Sequence, residues 1–176
     1  MIFFGHLGIT TGVVKTYEKL SNNDKNSIDY RVVLVGSILP DLIDKPMGAF
    51  FFRSTFHNSR IFAHTFLFSF IILILGGYFF YRYRKNKMMS LGVSTCIHLI
   101  LDSMWLYTGI LFWPYYGLNF PERPEGNWAQ SSLERLVSDP GYYIPEIVGL
   151  GIILFYIIKI YKSKQIKRFI KKGNII

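Results

Sequence analysis

The sequence predicts an all-α integral membrane helical bundle, with about three spanning helices and one or two shorter buried or re-entrant helices. Three observations carry that reading. Hydrophobic residues make up 51% of the 176 and the mean hydropathy is +0.27, yet 20 Lys and Arg leave a net charge of +9. Eleven of those 20 cations sit at 82–87 and 159–172, each cluster directly after a long apolar run. That is the arrangement in which cationic flanks stay on the cytoplasmic side, against anionic headgroups. Finally, the apolar runs carry few ionisable groups, and three of the four His and three Asp are among them. Such groups are costly in a membrane and mark function when they occur there.

Residues 2–14 are too short to cross a bilayer alone, and 32–52 is interrupted by Pro40, Asp41, Asp44 and Pro46. Both are expected as buried or re-entrant helices packed on the spans, with 21–29 as a polar loop between them. Residues 61–81, apolar apart from His64 and a few hydroxyls, match the roughly 20 residues a crossing helix needs. The run 91–113 has similar length and carries His98 and Asp102. A third span is expected at 142–161, with Pro145 in a helix-starting position and a basic tail from about 159. The stretch 114–141, with Pro114, Pro121, Pro124 and Pro140, reads as a structured loop outside the membrane. Placing both cationic clusters in the cytoplasm makes the chain multi-pass in a cell inner membrane, with its C-terminus cytoplasmic.

The length supports one domain over 1–176. The N-terminus lacks the cations that precede a signal-peptide core, so it is read as mature structure. A single cysteine, Cys96, excludes an intramolecular disulfide and a Cys-rich zinc module. Because the basic residues flank apolar runs, membrane lipids are the expected partner and nucleic acid is not. Composition leaves the oligomeric state open.

Four short sets carry the candidate chemistry. His98 and Asp102 lie four residues apart, one turn along a helix face, where one metal ion could take both or the pair could simply tie helices together. Asp41 and Asp44, three apart after Pro40, could supply carboxylate oxygen to a divalent metal, or could cap and start a helix. Arg60 and His64 begin the first span, and an Arg fork beside a metal suits a phosphoryl group. It would equally suit an interfacial snorkelling Arg. His6, after Gly5, is the weakest by itself. The sets do converge in depth. At about 1.5 Å per residue from the turn near Lys85, His64 stands roughly 30 Å up, Asp102 roughly 25 Å and His98 roughly 20 Å.

Together these residues form a recognisable ordered pattern: Gly5-His6, then Gly36-Ser-Ile-Leu-Pro-Asp-Leu-Ile-Asp44, Arg60-x-x-x-His64-Thr65, His98-x-x-x-Asp102-Ser103 and Leu111-Phe-Trp-Pro114. The set, over about 5–114, resembles the YdjM-like family of membrane-bound metal-dependent hydrolases. More distantly it is similar to zinc phospholipase C and the fungal zinc nucleases, helical bundles that cleave phosphoesters. The resemblance implies metal ligation by His6, Asp41, Asp44, His64, His98 and Asp102, with Arg60 and Asp44 as candidate catalytic residues. It implies one to three divalent ions, zinc or manganese. Two departures stand out. Ser59 precedes Arg60 where the family's His-Arg-Gly-x-Thr-His-Ser form has His, and Ala63 and Thr65 replace its Thr and Ser, leaving His57 displaced as a substitute ligand or a loop residue. Lys45 follows Asp44 where the family often has His.

Three functions follow as expectations. The first is hydrolysis of a phosphoester in a lipid or lipid-linked substrate by metal-activated water, with Arg60 stabilising phosphoryl charge. The second is an intramembrane ion or proton relay. The third is a non-catalytic, metal-stabilised membrane protein. Structural zinc sites usually close with four ligands, and this set has more.

Overall fold

A computed structural model describes residues 3–21, 28–122 and 128–175. Most of the loop expected at 21–29, and Pro124 with its neighbours, lie outside the described residues. Among these residues the chain is helical with no strand: α1 Phe4–Leu20, α2 Tyr30–Lys45, α3 Arg53–Phe56, α4 Phe66–Tyr83, α5 Lys87–Leu101, α6 Thr108–Leu111, α7 Trp128–Ser138, α8 Pro140–Lys162 and α9 Ile166–Lys172. A π-helical turn, Pro46–Phe51, separates α2 from α3, and a 3₁₀ turn, Met104–Leu106, follows α5.

Local chemistry sets the helix starts. The Asp29 carboxylate accepts the Arg31 amide (3.2 Å), Thr65 Oγ1 accepts the Phe68 amide (3.1 Å), and Asp139 Oδ1 accepts the Gly141 amide (2.8 Å). Each satisfies a donor that has no partner within its own helix. The α8 start therefore differs from the expectation at Pro145. Asp139 caps and Pro140 takes the first helical position, where its missing N–H costs nothing, so Pro145 lies inside the helix. Likewise α2 runs unbroken through Pro40. The stretch 114–141 is not all loop, because it contains α7.

The helices pack in the order α8, α1, α2, α5, α4. Between α1 and α8 the backbones meet at glycine: a Cβ on Gly8 would collide with the Gly149 backbone, and one on Gly149 with Phe4 and Gly5. Small residues permit such close approach between apolar helices that gain little from burial in lipid. Gly8→Ala is expected to destabilise the detergent-solubilised protein by about 2 kcal/mol through overpacking. Gly12→Ala serves as the control, because its Cβ would meet the Ile152 side chain at 3.5 Å, an ordinary contact. Equal thermal midpoints for the two variants would remove this account of the α1–α8 contact.

Among the described residues two helices, α4 and α8, are long and apolar enough to cross a membrane, with mean hydropathy 1.6 and 1.9 over their spanning windows. Only 17% and 11% of those windows are buried in the chain, unlike the core helices of a soluble protein. The span expected at 91–113 is corrected. Helix α5 has 15 residues and stops at Leu101, because Ser103 turns left-handed (φ 54°) and the 3₁₀ turn redirects the chain. The first span also starts later than 61, since the Asp44 carboxylate holds the backbone amides of Ile61, Ala63 and His64 out of helical register.

Two buried clusters flank the bundle. At one end Ile61, Leu99, Met104, Ile110 and Phe120 pack with Phe56, Phe62 and Trp113, whose rings meet edge-on, Phe62 lying 5.2 Å from Phe120 and 5.3 Å from Trp113. At the other, Val14, Tyr30 and Val33 enclose Ile175 of the C-terminal tail.

Candidate metal centre

Four elements bring the candidate residues together. Helix α1 supplies His6, α2 supplies Asp41 and Asp44, the irregular segment before α4 supplies Arg60 and His64, and α5 supplies His98 with Asp102 as its C-cap. His6, Asp44, His64 and His98 are fully buried. Asp41, His64, His98 and Asp102 each present a ligand atom, and these four atoms lie within 4.8 Å of one another.

Hydrogen bonding decides what the two central imidazoles offer. His98 Nδ1 lies 2.7 Å from the Ser37 carbonyl oxygen, which can only accept, so Nδ1 donates. His64 Nδ1 lies 2.7 Å from Asp44 Oδ2, again an acceptor. When neutral, each ring therefore turns the lone pair of Nε2 inward, and the two Nε2 atoms face each other at 3.4 Å. Two lone pairs repel at that range unless a cation lies between them. Around them stand Asp41 Oδ1, 3.5 Å from His64 Nε2, and Asp102 Oδ2, 3.7 Å from the same atom. Ligands about 2.1 Å from a tetrahedral ion sit about 3.4 Å apart. The donor set and its spacing thus fit one divalent cation with two nitrogen and two oxygen ligands.

Asp44 has a different place from the one the spacing suggested. Its carboxylate accepts the amides of Ile61 (2.8 Å), Ala63 (2.9 Å) and His64 (3.0 Å) as well as His64 Nδ1. With both oxygens occupied, it orients a ligand imidazole from behind, as carboxylates commonly do beside zinc-bound histidines. His6 lies beside the four. Its ring stacks on His98 at 4.1 Å, and Nε2 pairs with Asp102 Oδ1 at 3.2 Å. His6 would thereby hold Asp102 in place beside the four candidate ligands, with its Nδ1 unpartnered among the described residues.

Arg60 and His64 do not share a helix face, because the segment joining them is irregular. The Arg60 guanidinium pairs with Asp102 Oδ2 and lies 5.7 Å from the Tyr107 ring centroid. It thus touches a candidate ligand as well as standing over the cluster. Asp41 is also paired, its Oδ2 2.7 Å from Lys45 Nζ, so Lys45 anchors that carboxylate. His57 is exposed with a left-handed backbone (φ 45°) and takes no part.

Two positioning groups escaped the sequence reading. The Ser37 carbonyl, which sets the His98 tautomer, is a backbone atom and leaves no signal in side-chain patterns. Glu146 does leave one, as the only acid in the 142–161 run. Its carboxylate reaches from α8 to accept the Phe3 and Phe4 amides (3.2 and 2.8 Å), holding the start of the helix that carries His6.

No curated protein and no solved structure matches this chain. The profile of the YdjM inner membrane protein family matches residues 1–170, nearly the whole length. With the ordered His and Asp pattern spread over three helices and one irregular segment inside that match, the chain belongs to the YdjM inner membrane protein family.

Proposed function

We propose that this protein is a multi-pass, membrane-bound, metal-dependent hydrolase that cleaves a phosphoester in a lipid or lipid-linked substrate. The observation that carries the reading is the pair of inward-facing Nε2 atoms 3.4 Å apart, flanked by Asp41 and Asp102. A divalent metal, zinc or manganese in one to three ions, supplies an activated water and a Lewis acid when bound.

The chain's own residues divide the remaining work. His64, His98, Asp41 and Asp102 hold the metal, and Asp44 and the Ser37 carbonyl fix the two imidazoles. Arg60, whose side chain is 17% exposed, borders the cluster where a substrate would approach, and its fork can take two phosphoryl oxygens. The aromatic cluster of Phe56, Phe62, Trp113 and Phe120 keeps water from the adjoining side. With the 82–87 turn and the C-terminus on the cytoplasmic side, the side their flanking cations favour, the site lies in the outer half of the membrane.

The test is a purified, metal-replete preparation assayed against short-chain phospholipids and generic phosphodiesters, beside Arg60→Lys. Lysine keeps the charge and loses the planar fork, so metal content should hold while turnover falls about 10²–10³-fold. Should the fully loaded parent cleave none of these substrates, the hydrolase reading fails and an ion relay takes its place.

A further inference from the structure

The C-terminal tail does not trail from α8 as a solvated basic flank. Helix α9 folds back against the start of α2, where the Tyr30 amide donates to the Gly173 carbonyl (2.8 Å) and Arg31 Nη1 donates to the Ile170 carbonyl (2.5 Å). Gly173 is left-handed (φ 74°), and a Cβ there would strike the Asp29 carboxylate, so only glycine lets the tail lie this close. Beyond it Asn174 and Ile175 are buried, and Lys15 Nζ donates to the Ile175 carbonyl (2.5 Å).

This docking borders an open cleft of about 330 Å³ lined by Arg31, Lys87, Arg168, Lys171, Lys172 and Asn174. Five cations from three separate elements thus line one cleft, at the small end of the ~300–1,000 Å³ range of small-molecule sites. The Asp29 carboxylate stands at its edge, 2.7 Å from Arg31 Nη2 and 3.2 Å from Lys87 Nζ. The hydrogen bond from Arg31, then that from Lys87, hold its carboxyl below the usual carboxylate range against the opposing effect of burial. Arg31 spends Nε and Nη2 on Asp29 and Nη1 on the Ile170 carbonyl, which fixes its place in the lining. Like charges gathered along one cleft repel one another, and an anionic group held there lowers that penalty. Lysine ammonium and guanidinium N–H groups are the donors that phosphate oxygens recognise.

We infer that this pocket binds the phosphate group of an anionic ligand, either a lipid headgroup or free phosphate. It is distinct from the metal centre. Lys87 opens α5 and His98 lies eleven residues further along, about 16 Å away at the helical rise. The flanking cations place this end at the cytoplasmic face, where anionic headgroups lie within reach.

The experiment uses the full-length protein in neutral detergent micelles, with binding measured for dioctanoyl phosphatidic acid, dioctanoyl phosphatidylcholine and inorganic phosphate. The pocket variant is Arg168→Gln with Lys171→Gln, both exposed on α9, and the control is Arg82→Gln with Arg84→Gln, both exposed at the end of α4 and its cap. Phosphatidic acid is expected to bind the parent and phosphatidylcholine not to. The pocket variant should weaken binding at least about tenfold, the equivalent of one lost charge-assisted hydrogen bond. The control should stay within about twofold, as surface charges contribute little. Binding of inorganic phosphate with the same variant sensitivity identifies a free-anion site, and binding of phosphatidic acid alone identifies a headgroup site. Equal losses in both variants, or binding of neither phosphate probe, overturns the inference. Metal content should be unchanged in all variants, so failure here is separable from failure of the metal centre.

Discussion

Replacing His98 or Asp102 with alanine is expected to strip the purified protein of its metal, while His57→Ala leaves the content near that of the parent. His98 contributes one of the two inward-facing Nε2 atoms, and Asp102 turns one oxygen to the central group and the other toward His6. Even groups behind the ligands usually cost about 10–100-fold in metal affinity, so loss of a ligand itself should exceed about 100-fold. Elemental analysis of folded, size-selected protein provides the readout. His57 is exposed and distant in role, so it reports any effect of mutation alone. Full metal loading of both helix variants would end the assignment of these residues as ligands.

Asp44→Ala should lower stability by about 3–5 kcal/mol even in the absence of metal. The fully buried carboxylate accepts from three backbone amides and one imidazole N–H, four donors in all. Removing it leaves them without acceptors at about 1–3 kcal/mol each, partly recovered by relaxation. The segment from Ile61 to His64 has no helical hydrogen bonds to fall back on. Thermal unfolding in a chelator isolates this cost from any metal effect. Asp44→Asn, which keeps one carbonyl oxygen, should fall between parent and Ala, and metal affinity should drop about 10–100-fold because the His64 ring loses its anchor. A chelated Asp44→Ala protein melting with the parent would show that the carboxylate does not organise the segment.

Asp44 also shows why the sequence yielded the membership of the site more readily than the roles within it. Asp41 and Asp44 are equivalent by spacing, both carboxylates on one stretch of α2. They part company because residues 57–65 return across the end of α2 and place three amides on Asp44 and the His64 ring between the two acids. That return is a contact between segments seventeen to twenty residues apart, which no periodicity expresses. Arg60 illustrates the same limit. A helical reading placed it a turn from His64, and the capture of the intervening amides by Asp44 unwound that turn and put its guanidinium on Asp102.

Helix α5 gives a comparable case in the fold. The composition of 91–113 suits a membrane span, but composition does not register a left-handed Ser103 or the packing of Met104 and Ile110 beneath the aromatic cluster. By contrast α4 and α8 were legible because lipid-facing helices need long uninterrupted apolar runs, and that demand is written residue by residue.

By itself the sequence determined the all-helical class, the two long apolar helices, the cationic flanks and the identity of the His and Asp residues that meet. Each follows from local chemistry: hydrogen-bond closure in lipid, the cost of charge there, and the scarcity of ionisable groups in apolar surroundings. Only the tertiary structure decided which carboxylate faces the cluster and which orients a ring, which nitrogen each histidine presents, and that the basic tail borders a cleft. Those outcomes depend on acceptors and donors supplied by distant segments, such as the Ser37 carbonyl to His98 and the Gly173 carbonyl to Tyr30. The partner of a buried polar group is set by where the chain returns, and that is a property of the packed bundle.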